Sequence, residues 1–175
     1  MTGSEFIDFD KALNLGMKLI KTGENPNLGL LIVTGINLGV RIQDLLKFTF
    51  QDLRKDSVTI IEGKTSKKRI LAINNNIHKA ISFFNINYDG YAFKSQKGTV
   101  YSPQHVNRLL KKYFRGKIST HSLRKSFGRR VWNNDNQSER SLIYLSELFQ
   151  HSSISITRIY LGIRQEELDN IYINL

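Results

Sequence analysis

Two β-branched runs, Ser57–Ile61 (SVTII) and residues 69–73 (RILAI), flank the polar stretch 62–68 (EGKTSKK). Strand-forming residues on both sides of a short polar turn make a hairpin the simplest account. Tyr91-Ala92-Phe93 is a further short apolar run, read as a strand or a turn. Elsewhere the apolar residues recur at helical spacing. The fold class this allows is α+β and mainly α, a helical domain with a small antiparallel sheet.

The helices start and stop at recognisable signals. Residues 8–21 place Leu13, Met17 and Ile20 at helical spacing, with Asp8 or Asp10 as the cap. After the break at Pro26, residues 27–36 form an apolar helix, and residues 41–46 a short one that puts Arg41 and Leu45 on one face. Residues 74–85 turn Ile77, Ala80, Ile81 and Phe84 inward. Ser102-Pro103 starts a helix reaching residue 114, with Arg108, Lys111 and Lys112 on its basic face. Thr120 is expected to cap the helix carrying His121, Arg124, Phe127 and Val131. Helices at 138–149, 155–161 and 165–175 follow, the last amphipathic.

A chain of 175 residues suits one compact domain, here 1–175. It has no cysteine, which excludes disulfides, thiolate zinc sites and cysteine nucleophiles. The first residues lack the basic and apolar regions of a signal peptide. No stretch approaches the ~18 apolar residues of a membrane span. The net charge of +11 calls for a polyanionic partner, because basic side chains displace counterions from phosphates. Between Lys94 and Arg130 there are eleven Lys and Arg and no Asp or Glu. Charge alone would also fit a solvated basic surface.

The last third adds chemistry. His121 and Arg124 are three apart on one helix, so they share a face and can reach one phosphate. Arginine presents a planar fork of donors to phosphate oxygens. Histidine exchanges protons near neutral pH. Tyr160 stands nine residues after His151, and a tyrosine hydroxyl can attack and form a covalent intermediate. Upstream, Arg41 and Lys64 are 23 residues apart. Taken singly, each has an ordinary reading: a surface arginine, a solubilising lysine, a core or capping histidine, a packing tyrosine.

In order, Arg41, Lys64, His121 with Arg124, His151 and Tyr160 resemble the catalytic ladder of the tyrosine recombinases, the phage integrase family. The resemblance runs from about Gly29 to Tyr160. Thr34-Gly35 and Asp44-Leu45 match an expanded form of the first arginine motif, with Gln43 a departure from it. Phe149-Gln150-His151 lacks the glycine that usually precedes the second histidine.

The resemblance implies a catalytic domain over 1–175 without the N-terminal core-binding domain. It implies that Tyr160 attacks a DNA phosphate to give a 3′-phosphotyrosyl link while Arg41 and Arg124 hold the non-bridging oxygens. His121 would assist proton transfer at Tyr160, His151 would hydrogen-bond a phosphate oxygen, and Lys64 would protonate the 5′ leaving oxygen. Asp44 would support the fold of the site. Lys67 and Lys68 compete with Lys64, whose place after Gly63 favours it. Lys67, Lys68, Arg108, Lys111, Lys112, Lys125 and Arg129 are the candidate DNA-binding residues. No carboxylate pair has two-metal character and no GxxxxGK[ST] loop is present, so no metal, cofactor or ATP is expected. The implied partners are double-stranded DNA and other protomers, tetrameric on DNA and joined through the C-terminal helix. No membrane is involved, and the place is cytoplasmic and DNA-associated.

Three rival readings remain at this level, one of them a degenerate family member that binds DNA without cutting it, against which the intact Arg41, Arg124 and Tyr160 argue. Residues 138–160 scan as helix, polar turn, helix, the pattern of a non-catalytic helix-turn-helix DNA binder. A type IB topoisomerase would use the same chemistry to relax DNA.

Overall fold

The computed structural model describes residues 3–63 and 67–174. Local chemistry sets most of the helix starts. Asp8 caps α1 (Phe9–Lys21) by accepting from the Lys11 amide at 2.8 Å. Asn25 caps α2 (Pro26–Leu38), whose first residue is proline, where no amide hydrogen is needed. Ten of the 13 residues of α2 are buried, which makes it the central helix, packed by α1 and by two later helices. Its contact with α1 is close because glycines face each other: a Cβ on Gly29 would fall 2.5 Å from the Gly16 carbonyl oxygen.

The short α3 (Ile42–Leu45) follows, with Arg41 as its extended N-cap rather than its first helical residue. The next helix, α4 (Phe50–Arg54), is one the apolar spacing did not suggest. A reciprocal capping box between Thr49 and Asp52 forms it instead. The expected hairpin is present: β1 (Ser57–Ile61) pairs antiparallel with β2 (Lys68–Ala72), Ser57 facing Ala72 and Ile61 facing Lys68. Strand alternation turns Val58 and Leu71 into the core and leaves Ile61 and Ile70 outside. Arg69, one step from Ile70, therefore points inward.

Helix α5 (Asn75–Ile81) is capped by Asn74 and stops four residues before the expected end. Residues 90–101 cross back over the core through bridges of Thr49 with Tyr91 and of Lys94 with Val100. Helix α6 (Pro103–Tyr113) starts at Ser102 as expected. The cap of α7 (Thr120–Asn134) is Ser119, not Thr120, because the Ser119 and Ser122 hydroxyls each take the other residue's end of the first turn. Thr120 instead donates its amide to Asn107 on α6.

Helices α8 (Glu139–Phe149), α9 (Ile154–Leu161) and α10 (Ile163–Ile173) complete the fold. The main core surrounds α2. A second cluster of Trp132, Leu142, Leu145, Phe149, Leu161 and Ile163 joins α7 to α8–α10. At its centre Gly128 lets α7 meet α9: a Cβ there would lie 2.6 Å from Leu161 Cδ2 and 3.0 Å from Phe149. Among the described residues, no helix is long and apolar enough to cross a membrane.

Candidate active site

The end of α8 organises the site. The last carbonyls of a helix have no partner within it and carry partial negative charge. Gln150 turns into the left-handed region (φ 56°, ψ 47°), and its amide and that of His151 close back on the carbonyls of residues 146–147. That closure supplies the turn for which glycine was expected, and it delivers His151 directly after the helix. The Phe149 carbonyl is left for cations. Arg41 Nη2 and Arg124 Nη2 each donate to it at 3.2 Å.

Arg41 reaches this point because Gly39 ends α2 in the left-handed conformation (φ 59°), with the Phe127 ring packed where a Cβ would stand. Its other edge donates from Nη1 to Glu62 Oε2 at 2.6 Å. The Glu62 side chain is only 1% exposed, and its second oxygen accepts from Arg69 Nη1 at 2.8 Å. Arg69 also donates to the Leu148 carbonyl at 2.9 Å. Asp44, also buried, accepts the Gly63 amide at 3.0 Å.

Arg124 is buried on α7, its guanidinium 4.4 Å from the centre of the Phe149 ring. Its Nη1 finds no hydrogen-bond partner among the described residues. Burial brings its pKa down to about 10; the nearby Arg41 and Arg69 cations push the same way, while Tyr160 and Glu62 oppose. His121, one turn earlier, lies at the exposed edge. Partial desolvation at the cavity wall holds its pKa below the ordinary histidine range, and the Arg124, Lys125 and Arg41 cations add to that.

Tyr160 lies against this group from α9. Its ring makes edge contacts with Phe149 (5.6 Å) and His151 (5.2 Å). Its hydroxyl is buried with no hydrogen-bond partner among the described residues. Burial pushes its pKa up to about 12, against the opposing pull of Arg124 and then Arg41. The His151 Nδ1 is 2.9 Å from the Thr157 hydroxyl, which fixes the ring against α9.

Arg41, His121, Arg124, His151 and Tyr160 all line one cavity of about 530 Å³. Chemically it offers two guanidiniums for an anion, an imidazole held neutral at ordinary pH, and a phenol. A larger cavity of about 680 Å³ lies along α6 by Tyr101, His105 and Arg108 and contains none of these five residues. The convergence of chemistry, not volume, identifies the site. Lys64 lies outside the described residues.

Of the candidate DNA-binding residues, Lys67, Lys68, Arg108, Lys111 and Lys112 are exposed. Lys125 and Arg129 are not on the open face expected of them. Lys125 is buried, donates to the Ser4 carbonyl at 2.6 Å and lies 5.1 Å above the Tyr160 ring. Arg129 is buried and reaches both Glu166 oxygens at 2.7 Å. Contacts with the N-terminal segment and with α10, neither visible in the spacing of α7, cover them.

Glu62 and Arg69 are site residues that sequence reasoning passed over, one as part of a polar turn, the other as a strand residue. Strand alternation held a signal, since Arg69 shares its face with the apolar Leu71. It gives the face but not the partner.

The model of the phage integrase family matches residues 17–167 of the chain. A tyrosine recombinase of Agathobacter rectalis is 34% identical over 149 residues, which cover 78% of this chain and 47% of that protein. A probable integrase/recombinase of Bacillus subtilis, YoeC, is 31% identical over 144 residues, covering 78% and 77%. The crystal structure of XerA recombinase matches with a TM-score of 0.68 at 20% identity, covering 97% of this chain and 64% of that one, a likeness of fold. The chain spans about half the length of the first of these relatives.

Proposed function

The chain belongs to the phage integrase family, and from that premise we propose that it is the catalytic domain of a site-specific recombinase that breaks and rejoins double-stranded DNA through Tyr160. The observation that carries this reading is the convergence of Arg41 and Arg124 on one carbonyl, at the wall of a cavity that Tyr160, His121 and His151 also line. Two fixed guanidiniums can hold the two non-bridging oxygens of a phosphodiester and stabilise the charge that grows on them as the phosphorus becomes five-coordinate.

In the proposed reaction the Tyr160 oxygen attacks the phosphorus, the bond to the 5′ oxygen breaks, and a 3′-phosphotyrosyl bond forms. The phenol is protonated at neutral pH, so its proton must leave during attack. In this reading His121, on the wall of the same cavity, takes it. His151 donates to a phosphate oxygen. Lys64, from its place in the sequence, gives a proton to the departing 5′ oxygen. Attack by a 5′ hydroxyl of another strand reverses the step and releases Tyr160. The phosphodiester energy is kept in the covalent link, so the cycle consumes no nucleotide.

The exposed Lys67, Lys68, Arg108, Lys111 and Lys112 hold the DNA backbone on either side. In this reading several protomers assemble on the DNA through the C-terminal helix α10, whose Leu168, Ile171 and Tyr172 are exposed.

Covalent trapping tests the proposal. The protein is incubated in EDTA with a pool of nicked duplexes of randomised sequence, and adducts surviving detergent are sequenced and mapped by peptide mass spectrometry. The expected result is an adduct on Tyr160 that Tyr160→Phe abolishes. An adduct on another residue, or none alongside firm DNA binding, overturns it.

A further inference from the structure

We propose that Glu62 and Arg69 are positioning residues for Arg41, a role that rests on the recombinase reading of the cavity. Glu62 is a carboxylate with a 1% exposed side chain, and it divides its two oxygens between two guanidiniums, Arg41 at 2.6 Å and Arg69 at 2.8 Å. A buried charge needs such pairing, yet a buried ion triad adds little stability over apolar side chains of the same volume. The fold alone therefore does not call for a triad at this place.

Its geometry serves Arg41. A guanidinium has five N–H donors in a rigid plane. Glu62 takes one from Nη1 and the Phe149 carbonyl takes one from Nη2, which fixes that plane at two points. The remaining donors are those available to an anion in the cavity that Arg41 lines. Arg69 does two things. It anchors Glu62 to the Leu148 carbonyl, one residue before the carbonyl that holds Arg41 and Arg124, so hairpin and guanidinium pair share one reference point at the end of α8. It also shares the carboxylate's charge. Glu62 paired with Arg41 alone would cancel the cation the phosphate needs, and with Arg69 present the three groups together stay positive.

Neither Glu62 nor Arg69 lines the cavity, so both act through Arg41. Partners that orient metal ligands from behind matter by about 10–100-fold, and the same order is expected for groups that orient Arg41.

The test is single-turnover cleavage by the full chain of a nicked duplex recovered by Tyr160 trapping, comparing wild type with Glu62→Gln and Arg69→Met. Both variants are expected to cleave about 10–100-fold more slowly with unchanged DNA affinity. The diagnostic substrate carries a methylphosphonate at the cleaved position, which removes the negative charge that Arg41 holds. On it the deficit of Glu62→Gln should largely disappear. A Glu62→Gln protein that cleaves as wild type does, or loses the same factor on both substrates, overturns the proposal, because the carboxylate would then serve only the hairpin. If Glu62→Gln fails to melt cooperatively, Arg69→Met decides by the same comparison. A wild-type protein that binds DNA firmly and forms no adduct overturns the recombinase reading instead. The positioning role is then read from the ¹⁵N spectrum of the Arg41 guanidinium: broadening in Glu62→Gln supports it, and an unchanged signal overturns it.

Discussion

Arg41, the N-cap of α3, and Arg124, on α7, donate to the same carbonyl oxygen, that of Phe149, each at 3.2 Å. Two like charges this close repel, and the shared helix-end carbonyl and the Glu62 carboxylate offset the repulsion. An anion bound between the two guanidiniums completes the compensation, as the proposed phosphodiester would.

Replacing Arg41 by lysine should separate binding from chemistry. A lysine keeps the charge but cannot hold Glu62, Phe149 and a substrate oxygen in one plane. The cleavage rate is expected to fall about 10²–10³-fold, the usual cost of one lost transition-state donor. A filter-binding or fluorescence titration should find DNA affinity little changed.

Tyr160→Phe should remove the adduct without harming the fold. The hydroxyl is buried with no hydrogen-bond partner among the described residues. An unsatisfied buried polar group costs roughly 1–3 kcal/mol, so the variant should melt at the wild-type temperature or above it. A clear drop in melting temperature would mean that the hydroxyl is bonded in solution.

The cleavage rate should depend on pH through His121. Its folded pKa is depressed, and in the proposed reaction its neutral form is the base. Activity is therefore retained at and somewhat below the ordinary histidine value of about 6.5, and is lost as pH falls further and the ring takes a proton. A single-turnover pH profile checks this, with the His121 ring followed by NMR. A midpoint above the ordinary value would contradict the assignment.

Gly128→Ala should disturb the proposed nucleophile, Tyr160, from behind. The new methyl would meet Leu161 Cδ2 at 2.6 Å, next to Tyr160 on α9. Overpacking of this kind costs about 1–3 kcal/mol, read by denaturant melts. Adduct formation should fall as well, because the methyl would also meet the Phe149 ring at 3.0 Å, and that ring packs against Tyr160.

Glu166→Gln should loosen the C-terminal helix and lower the melting temperature. Arg129 is buried and holds both oxygens of the half-exposed Glu166, so the change takes the charged partner from a buried guanidinium. The cost should exceed about 1 kcal/mol, that of a surface pair. Hydrogen exchange should quicken along α10, and a thermal melt should show the loss.

The chain's own letters determined the element types and most helix starts, because these depend on neighbours in sequence. Asp8, Ser102 and Ser138 cap the helices that follow them, and SVTII and the second β-branched run pair as a hairpin. The residues that line the cavity were legible as well, since their types and order resemble a known ladder, and five of the six meet in one place. Tertiary structure alone decided which charged side chains are buried and what pairs with them. Glu62 and Arg69 stand in a polar turn and a strand, and only the approach of Arg41 and α8 makes them a buried triad. Lys125 and Arg129 belong to a basic run that suggests open surface, and the Ser4 carbonyl and Glu166 enclose them. The physical reason is the range of the forces. Caps and strand patterns act over a few residues, whereas a charge is stable inside a protein only when distant parts of the chain bring it a partner.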